Sequence, residues 1–137
     1  MHFEKGYLYH IYNQGNNRKR LFFKRENYLF FLNKIRTHLL PYCDILVWCL
    51  MPNHFHFMVL INETEINAIG GATRNQSNAI GGATRSRTPN NASKKISLNH
   101  SIGIILASYT RAINKQNGTS GSLFRQKTKA ECLNCPD

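Results

Sequence analysis

Two histidines separated by one residue stand near the middle of the chain, in the stretch MPNHFHFMVL at positions 51–60. Alternate side chains of a β-strand share a face, so His54 and His56 would project together, about 6.5–7 Å apart along the backbone. Two neutral imidazoles at that spacing can hold one metal ion, and a metal held in this way can polarise a phosphodiester. The alternative is that one histidine is a partly exposed strand residue and the other is incidental.

The charge of the chain favours an anionic partner. Its 137 residues include 18 Lys and Arg against 7 Asp and Glu, which gives a formal net charge of +11. Such an excess attracts polyanions, of which nucleic acid is the commonest, although a basic surface that serves solubility alone is the alternative. The candidates for contact with phosphate lie in two short segments and comprise Arg18, Lys19, Arg20, Arg125, Lys127 and Lys129.

Two elements are predicted before the histidines. Residues 6–15 are rich in aromatic and β-branched side chains and end in Asn-Gln-Gly, which predicts a strand that runs into a turn. His10 on this strand could reach the face of His54, although a packed or an exposed histidine is the ordinary interpretation. Apolar residues then recur at helical spacing over 26–40, and Pro41 closes the predicted helix.

The histidines themselves fall on the second strand of a predicted hairpin. Residues 44–51, DILVWCLM, are apolar on both faces, which is typical of a central strand. Pro52 and Asn53 predict a tight turn into an antiparallel strand over 54–61. On that strand the face opposite the histidines would point toward the helices, and it carries Phe55, Phe57, Val59 and Ile61.

A second helix and a last strand complete the pattern. Ser97 is a plausible N-cap, apolar residues follow at helical spacing, and Gly118 supplies the stop. In the final segment, 122–133, alternation would place the three basic side chains in one row beside a core-facing Phe124. The order strand, helix, strand, strand, helix, strand predicts an α+β fold: a ferredoxin-like antiparallel sheet with both helices on one face.

The chain is predicted to form a single domain, 1–137, with a flexible insertion at about 62–96. The octapeptide NAIGGATR occurs at 67–74 and again at 78–85, in a region rich in Gly, Asn, Ser and Thr without apolar periodicity. Two copies are too few for a solenoid, and tandem duplication within an insertion is the simpler explanation. We therefore expect no secondary structure there.

Cysteine content and hydropathy point to an intracellular protein. Cys43 and Cys49 are expected to behave as small hydrophobic residues, and no disulfide is predicted. Cys132 and Cys135 form one CxxC pair, a weak zinc signal because four ligands are needed. No apolar run approaches the roughly 18 residues of a membrane span, and the N-terminus lacks the order of a secretion signal. These features predict a cytoplasmic protein without a membrane partner, and both a monomer and a homodimer are compatible with them.

The stretches YLYHIYNQGNNRKRLFF (7–23) and VWCLMPNHFHFMVL (47–60) together resemble the REP-associated tyrosine transposases, members of the His-hydrophobic-His (HUH) single-strand endonucleases. The resemblance runs from the start of the chain to about Ile61 and resumes at SYTRAINKQNGTSGSLFRQKTKA (108–130). Only the repeat-bearing insertion lies outside it. Met-Pro-Asn-His-Phe-His combined with the upstream His-Ile-Tyr-Asn-Gln-Gly is far more specific than a His-x-His pair alone.

The resemblance implies a DNA transposase that acts on single-stranded or hairpin DNA. A tyrosine hydroxyl attacks the phosphodiester and leaves a 5′-phosphotyrosine and a free 3′-hydroxyl, which can later reseal the strand. His54 and His56 would hold the divalent cofactor, Mg²⁺ or Mn²⁺. The turn residues Asn13, Gln14 and Arg18 would contact DNA, although Asn-Gln-Gly would also be chosen for a turn alone.

The nucleophile of the family lies on a helix downstream of the segment matched here by GSLFRQKTKA, and the chain ends before such a helix. We therefore expect a truncated copy. Tyr109 is a weak substitute because it lies on the apolar stripe of its helix, which favours a core role. Two alternatives remain open: a non-catalytic single-stranded nucleic-acid-binding module, and a zinc protein that joins Cys132 and Cys135 to the histidines.

Overall fold

The computed structural model describes residues 1–68 and 94–137. Within those residues the chain forms six strands, two helices and one short 3₁₀ turn at Asn16–Arg18. In the two described ranges there is no helix both long and apolar enough to cross a membrane. In chain order the strands and helices are β1 (Leu8–Gln14), α1 (Arg25–His38), β2 (Cys43–Met51), β3 (His54–Ile61), β4 (Glu65–Asn67), β5 (Lys95–Ser97), α2 (Leu98–Asn117) and β6 (Lys129–Cys132).

The main sheet has four strands in the order β2-β3-β1-β6, and every pairing in it is antiparallel. Both helices pack on one face of this sheet, where aromatic rings from the strands and helices meet. Phe31 of α1 lies with its ring centroid 5.3 Å from that of Phe55 on β3 and 5.1 Å from that of Tyr109 on α2. The prediction of a ferredoxin-like α+β fold is confirmed.

Strand β3 shows the alternation that the sequence predicted. Phe55, Phe57, Val59 and Ile61 are buried against the helices, whereas the residues between them are half-buried on the other face. Strand β1 alternates in the same way, with Tyr9 and Ile11 in the core. The sheet therefore has one face that the helices cover and one open face, and the histidines lie on the open face.

The helices begin and end close to the predicted positions. Ser97 caps α2, since its hydroxyl accepts a hydrogen bond from the backbone N–H of His100 at 3.2 Å. Gly118 ends α2 with φ of 63°, a conformation that favours glycine. The buried Asn27 joins the two helices, because its side-chain amide nitrogen donates to Gln116 at 2.9 Å.

Strand β2 is an edge strand, and the prediction of a central position for it was wrong. It pairs with β3 alone among the described residues, and its apolar residues Leu46, Val47 and Trp48 are 51%, 56% and 53% exposed. A register shift between Ile45 and Val47 interrupts the pairing with β3. An apolar sequence on both faces thus marks an exposed edge here rather than a strand buried on both sides.

Two short strands form within the predicted insertion, so the expectation of no secondary structure across 62–96 was too broad. β4 and β5 pair with each other, and Ile66 packs against the core. The backbone N–H of Ala68 donates to the carbonyl of Lys94 at 2.8 Å, which extends the pairing by one step. Apart from Asn67 and Ala68, both copies of the repeat lie outside the described residues.

The last strand is shorter than predicted. Regular pairing is limited to β6, while Phe124 makes an isolated bridge with Gly15. Phe124 is buried as expected. Cys132 and Cys135 are joined in a disulfide, so the expectation that the chain forms none was wrong. The two cysteines are three residues apart, and the disulfide between them closes a small loop at the end of β6.

Candidate metal and nucleic-acid site

The two histidines of β3 lie side by side on the open face of the sheet. Their ring centroids are 5.1 Å apart and the rings are nearly perpendicular, at 84°. Both side chains are half-buried, and their neighbours Phe55 and Phe57 anchor the strand in the core. The strand thus gives the pair a fixed spacing on a rigid support.

Hydrogen bonds hold both rings. Nδ1 of His54 lies 2.7 Å from Oδ1 of Asn53, in the turn between β2 and β3. Nδ1 of His56 lies 2.8 Å from Nε2 of His10, which belongs to the neighbouring strand β1. Each histidine therefore has one ring nitrogen in a hydrogen bond and one that is free of it among the described contacts.

His10 belongs to the site, although a packed or exposed histidine was the ordinary interpretation of its sequence. Its ring stacks on Tyr12 at 4.5 Å and on His56 at 5.0 Å between centroids. Tyr12 lies directly opposite His56 in the register of β1 and β3. The alternation of His10, Tyr12 and Gln14 along one strand was the signal that could have found this face.

Burial and neighbouring rings favour the neutral form of His56. Its pKa is lowered, first because burial penalises the imidazolium and then because His10 and His54 repel a positive charge there. The neutral imidazole is the form that binds metal. The surroundings of His56 therefore suit a ligand for a cation.

An open cavity of about 350 Å³ adjoins the histidine pair. The basic side chains of the last segment reach this cavity although most of that segment is not a strand. They are held there by backbone pairing, since the N–H of Arg125 donates to the carbonyl of Gln14 at 2.9 Å. The residues that line the cavity are Tyr12, Asn13, Gln14, His54, His56, Arg125, Lys127 and Lys129.

Asn13 and Gln14, both predicted to contact DNA, line this cavity, and Asn13 holds the basic segment in place. It is buried, its side-chain nitrogen donates to the carbonyl of Arg125 at 3.1 Å and to the hydroxyl of Thr128 at 3.0 Å, and its side-chain oxygen accepts from the N–H of Gln14. These bonds tie the basic segment to β1. Gln14 lies on the open face, against the guanidinium of Arg125.

The first basic segment, Arg18 to Arg20, lies away from the histidine cavity. Arg18, Lys19 and Arg20 are exposed, and Lys19 and Arg20 border a separate cavity with the C-terminal end of α2. Gly15 makes the tight turn before them possible, because a Cβ atom at that position would collide with the carbonyl oxygen of Lys19. The predicted phosphate contacts thus form two groups, of which only the later one adjoins the histidines.

Two tyrosines bear on the question of a nucleophile. Tyr109 is fully buried, and its hydroxyl donates to the carbonyl of Leu21 at 2.7 Å. Burial also raises its pKa, which disfavours this hydroxyl as a nucleophile and agrees with the core role expected for Tyr109. Tyr12 lines the histidine cavity, but its hydroxyl donates to Glu131 at 2.6 Å, and that hydrogen bond raises the pKa of the phenol.

The side chains at the site provide some, but not all, of the ligands that a divalent ion needs. The histidine pair can supply two nitrogen ligands, whereas the described residues contain no group of three His, Cys, Asp or Glu side chains that could hold a metal. The zinc alternative does not fit. Cys132 and Cys135 are joined to each other, and Cys132 packs against the core, on the face of the sheet away from the histidines. A metal at the histidines would take its further ligands from water, substrate or groups outside the described residues.

The fold of this chain is similar to a known one. No protein-family model and no curated protein matches the chain. A solved structure of a REP-associated tyrosine transposase bound to a REP hairpin superposes with a TM-score of 0.58 at 12% sequence identity. The match covers 99% of this chain and 61% of that transposase, so the chain spans less than two thirds of its length. At this identity the likeness shows a shared fold.

Proposed function

We propose that this protein acts on DNA as a transposase-type endonuclease of the HUH kind, with single-stranded or hairpin-flanked DNA as its substrate. The observation that carries the proposal is the placement of His54 and His56 on one open sheet face, beside a cavity lined by three basic side chains. The shared fold with a transposase that was solved with a REP hairpin supports it. The net charge of +11 supports an anionic partner as well.

Each part of the site has a role in this proposal. His54 and His56 would hold the metal, and Arg125, Lys127 and Lys129, which line the same cavity, would bind backbone phosphates. Gln14 lies beside Arg125, where it can contact the same strand. Lys19 and Arg20, with Arg18 next to them, would bind a more distant part of the DNA, since they border the other cavity.

The proposed cofactor is Mg²⁺ or Mn²⁺. When bound by the histidine pair, the ion would polarise a phosphate oxygen and stabilise the charge that develops during attack. The choice of these ions rests on the resemblance to the HUH endonucleases, because softness alone does not favour Mg²⁺ at imidazoles. A cytoplasmic location is part of the same proposal.

The proposed reaction is a transesterification. A tyrosine hydroxyl loses its proton and attacks phosphorus, the bond from phosphorus to the 3′-oxygen breaks, and that oxygen takes up a proton. We assign the attacking hydroxyl to none of the six tyrosines of the sequence, all of which lie in the described residues. Tyr109 is buried in the core, and the hydroxyl of Tyr12 is held by Glu131.

A cleavage assay tests the proposal. The protein is incubated with labelled, hairpin-flanked single-stranded DNA and Mn²⁺, and a denaturing gel then reports strand cleavage and covalent adducts. We expect metal-dependent cleavage that His54→Ala abolishes and that His100→Ala, an exposed histidine on α2, leaves unchanged. Equal cleavage by wild type and His54→Ala would contradict the proposal.

The second candidate function is a non-catalytic single-stranded nucleic-acid-binding module. The exposed basic side chains beside the stacked rings of His10, Tyr12 and His56 favour it, since such a surface can bind phosphates and bases without chemistry. Salt-sensitive binding to single strands, with neither cleavage nor adduct in Mn²⁺, would support this function instead.

A further inference from the structure

We infer that His10 and Asn53 are positioning residues that make His54 and His56 present their Nε2 atoms, rather than Nδ1, to a divalent cation. The inference rests on the proposed metal site and deepens it. Its basis is that each Nδ1 of the pair already lies within hydrogen-bond distance of a partner, 2.7 Å from Asn53 and 2.8 Å from His10.

The Asn53 contact fixes the proton of His54. The oxygen of a side-chain amide can only accept a hydrogen bond, so Nδ1 of His54 must carry the hydrogen. The lone pair of the neutral ring is then on Nε2. Asn53 is itself held in the turn, since its backbone carbonyl accepts from the N–H of Gly15 at 2.8 Å.

The His10 contact works on His56 in a similar way. Between two neutral imidazoles the hydrogen can lie on either ring, and only one arrangement leaves His56 with an unprotonated Nε2: Nδ1 of His56 donates and Nε2 of His10 accepts. A cation at Nε2 of His56 selects that arrangement. The ring of His10 is kept in place by its stacking on Tyr12.

The two contacts come from different parts of the fold. Asn53 reaches His54 from the turn that precedes β3, and His10 reaches His56 from the adjacent strand β1. Partners of this kind orient the ring and raise the basicity of the ligating nitrogen, and their loss typically lowers metal affinity about 10–100-fold. His10 thus acts through His56 and is not itself a metal ligand in this scheme.

Metal affinity tests the inference. Binding of Mn²⁺ is measured by electron paramagnetic resonance for the wild type, His10→Ala, His10→Gln, Asn53→Ala and Asn53→Asp, with His100→Ala as the control. We expect a loss of about 10-fold or more for the two alanine variants. Gln at position 10 and Asp at position 53 keep an acceptor oxygen and should restore most of the affinity. Alanine variants with wild-type affinity would overturn the inference.

A second measurement separates failure of the inference from failure of the proposed function. Nitrogen-15 NMR of the histidine rings, with and without Mg²⁺, reports which ring nitrogen carries hydrogen. We expect hydrogen on Nδ1 of His54 in both samples and on Nδ1 of His56 with Mg²⁺. Hydrogen on Nε2 of His54 would overturn the inference even if metal binds. If the wild type binds neither Mn²⁺ nor Mg²⁺, the proposed function loses its cofactor and the inference built on it falls, whatever the tautomer of His54.

Discussion

The hydroxyl of Tyr109 donates a hydrogen bond to the backbone carbonyl oxygen of Leu21, with 2.7 Å between the two oxygens. Both residues are fully buried. The bond joins the middle of α2 to the segment that leads into α1, next to the ring of Phe22. Tyr109 is therefore a structural residue of the helical layer.

Replacing Tyr109 by Phe should weaken the fold without changing the site. The variant leaves the Leu21 carbonyl buried without its partner, which costs about 1–3 kcal/mol. We expect urea denaturation to show a loss of unfolding free energy in this range. Affinities for Mn²⁺ and single-stranded DNA should stay at wild-type values below the unfolding transition. A variant of unchanged stability that has lost DNA cleavage would show that Tyr109 has a catalytic role after all.

The basic side chains beside the histidines should set the salt dependence of DNA binding. Removing Lys127 deletes one charge at the cavity, so the slope of log affinity against log salt for single-stranded DNA should become shallower by about 0.7. Fluorescence anisotropy over a range of NaCl concentrations measures this slope. The matched control is Arg36→Ala, which removes one charge from the exposed side of α1 and should leave the slope unchanged. Equal slopes for the two variants would place the DNA elsewhere.

The open face of the sheet was predictable because its signal is local. Alternation along β3 placed the histidines on one side and four apolar residues on the other, and the burial of those residues confirms the pattern. The caps of α2 were equally local, since a serine and a glycine flank a run of apolar residues at helical spacing. Patterns of this kind need no knowledge of the strand order.

The contact between His10 and His56 and the edge position of β2 depend on long-range pairing. His10 meets His56 because β1 aligns Tyr12 opposite His56, a register that the sequence of either strand alone does not contain. β2 lies at the edge because it pairs with β3 on one side, while β1 pairs with the other side of β3 and β6 pairs with β1. The basic side chains of the last segment line the histidine cavity because Asn13 bonds to Arg125 and Thr128, and a long strand is not needed for this placement.

The two unbridged cysteines should differ sharply in reactivity. Cys43 is buried, and burial raises the pKa of its thiol to about 12, so almost no thiolate is present at pH 8. Cys49 is exposed on β2. We expect iodoacetamide at pH 8 without reductant to label Cys49 in the native protein and Cys43 only after unfolding.

Mass spectrometry of tryptic peptides locates the label. The Cys49→Ser variant is the control and should take up no label in the native state. Cys132 and Cys135 should become labelled only after reduction, because they are bonded to each other. Rapid labelling of Cys43 in the native protein would show that the core around Cys43 opens to solvent without global unfolding.

The exposed edge strand should promote self-association. Edge strands with apolar residues and without lysine are open to pairing with other chains, and β2 contains no Lys or Arg. A charge in place of Val47 should therefore lower the associated fraction in sedimentation velocity runs at high concentration. Because the side chain is 56% exposed, the free energy of unfolding should change by less than about 0.5 kcal/mol.

The control for Val47→Lys is Asn33→Lys, which adds the same charge on an exposed position of α1. It separates the effect of net charge from that of the edge. If both variants reduce association equally, general repulsion between the chains explains the change. If neither does, the edge of β2 is not a contact between copies.

The pairing of β4 with β5 brings residues 68 and 94 together, with the backbone N–H of Ala68 bonded to the carbonyl of Lys94. Because the two ends of the intervening segment lie this close, we expect a change in its length to leave both helices and every strand of the main sheet in place. Nearly all of the duplicated NAIGGATR lies between these positions, where such changes in length are expected to be tolerated. Related reading frames would differ most in their length here, while the hairpin that carries the histidines keeps its register.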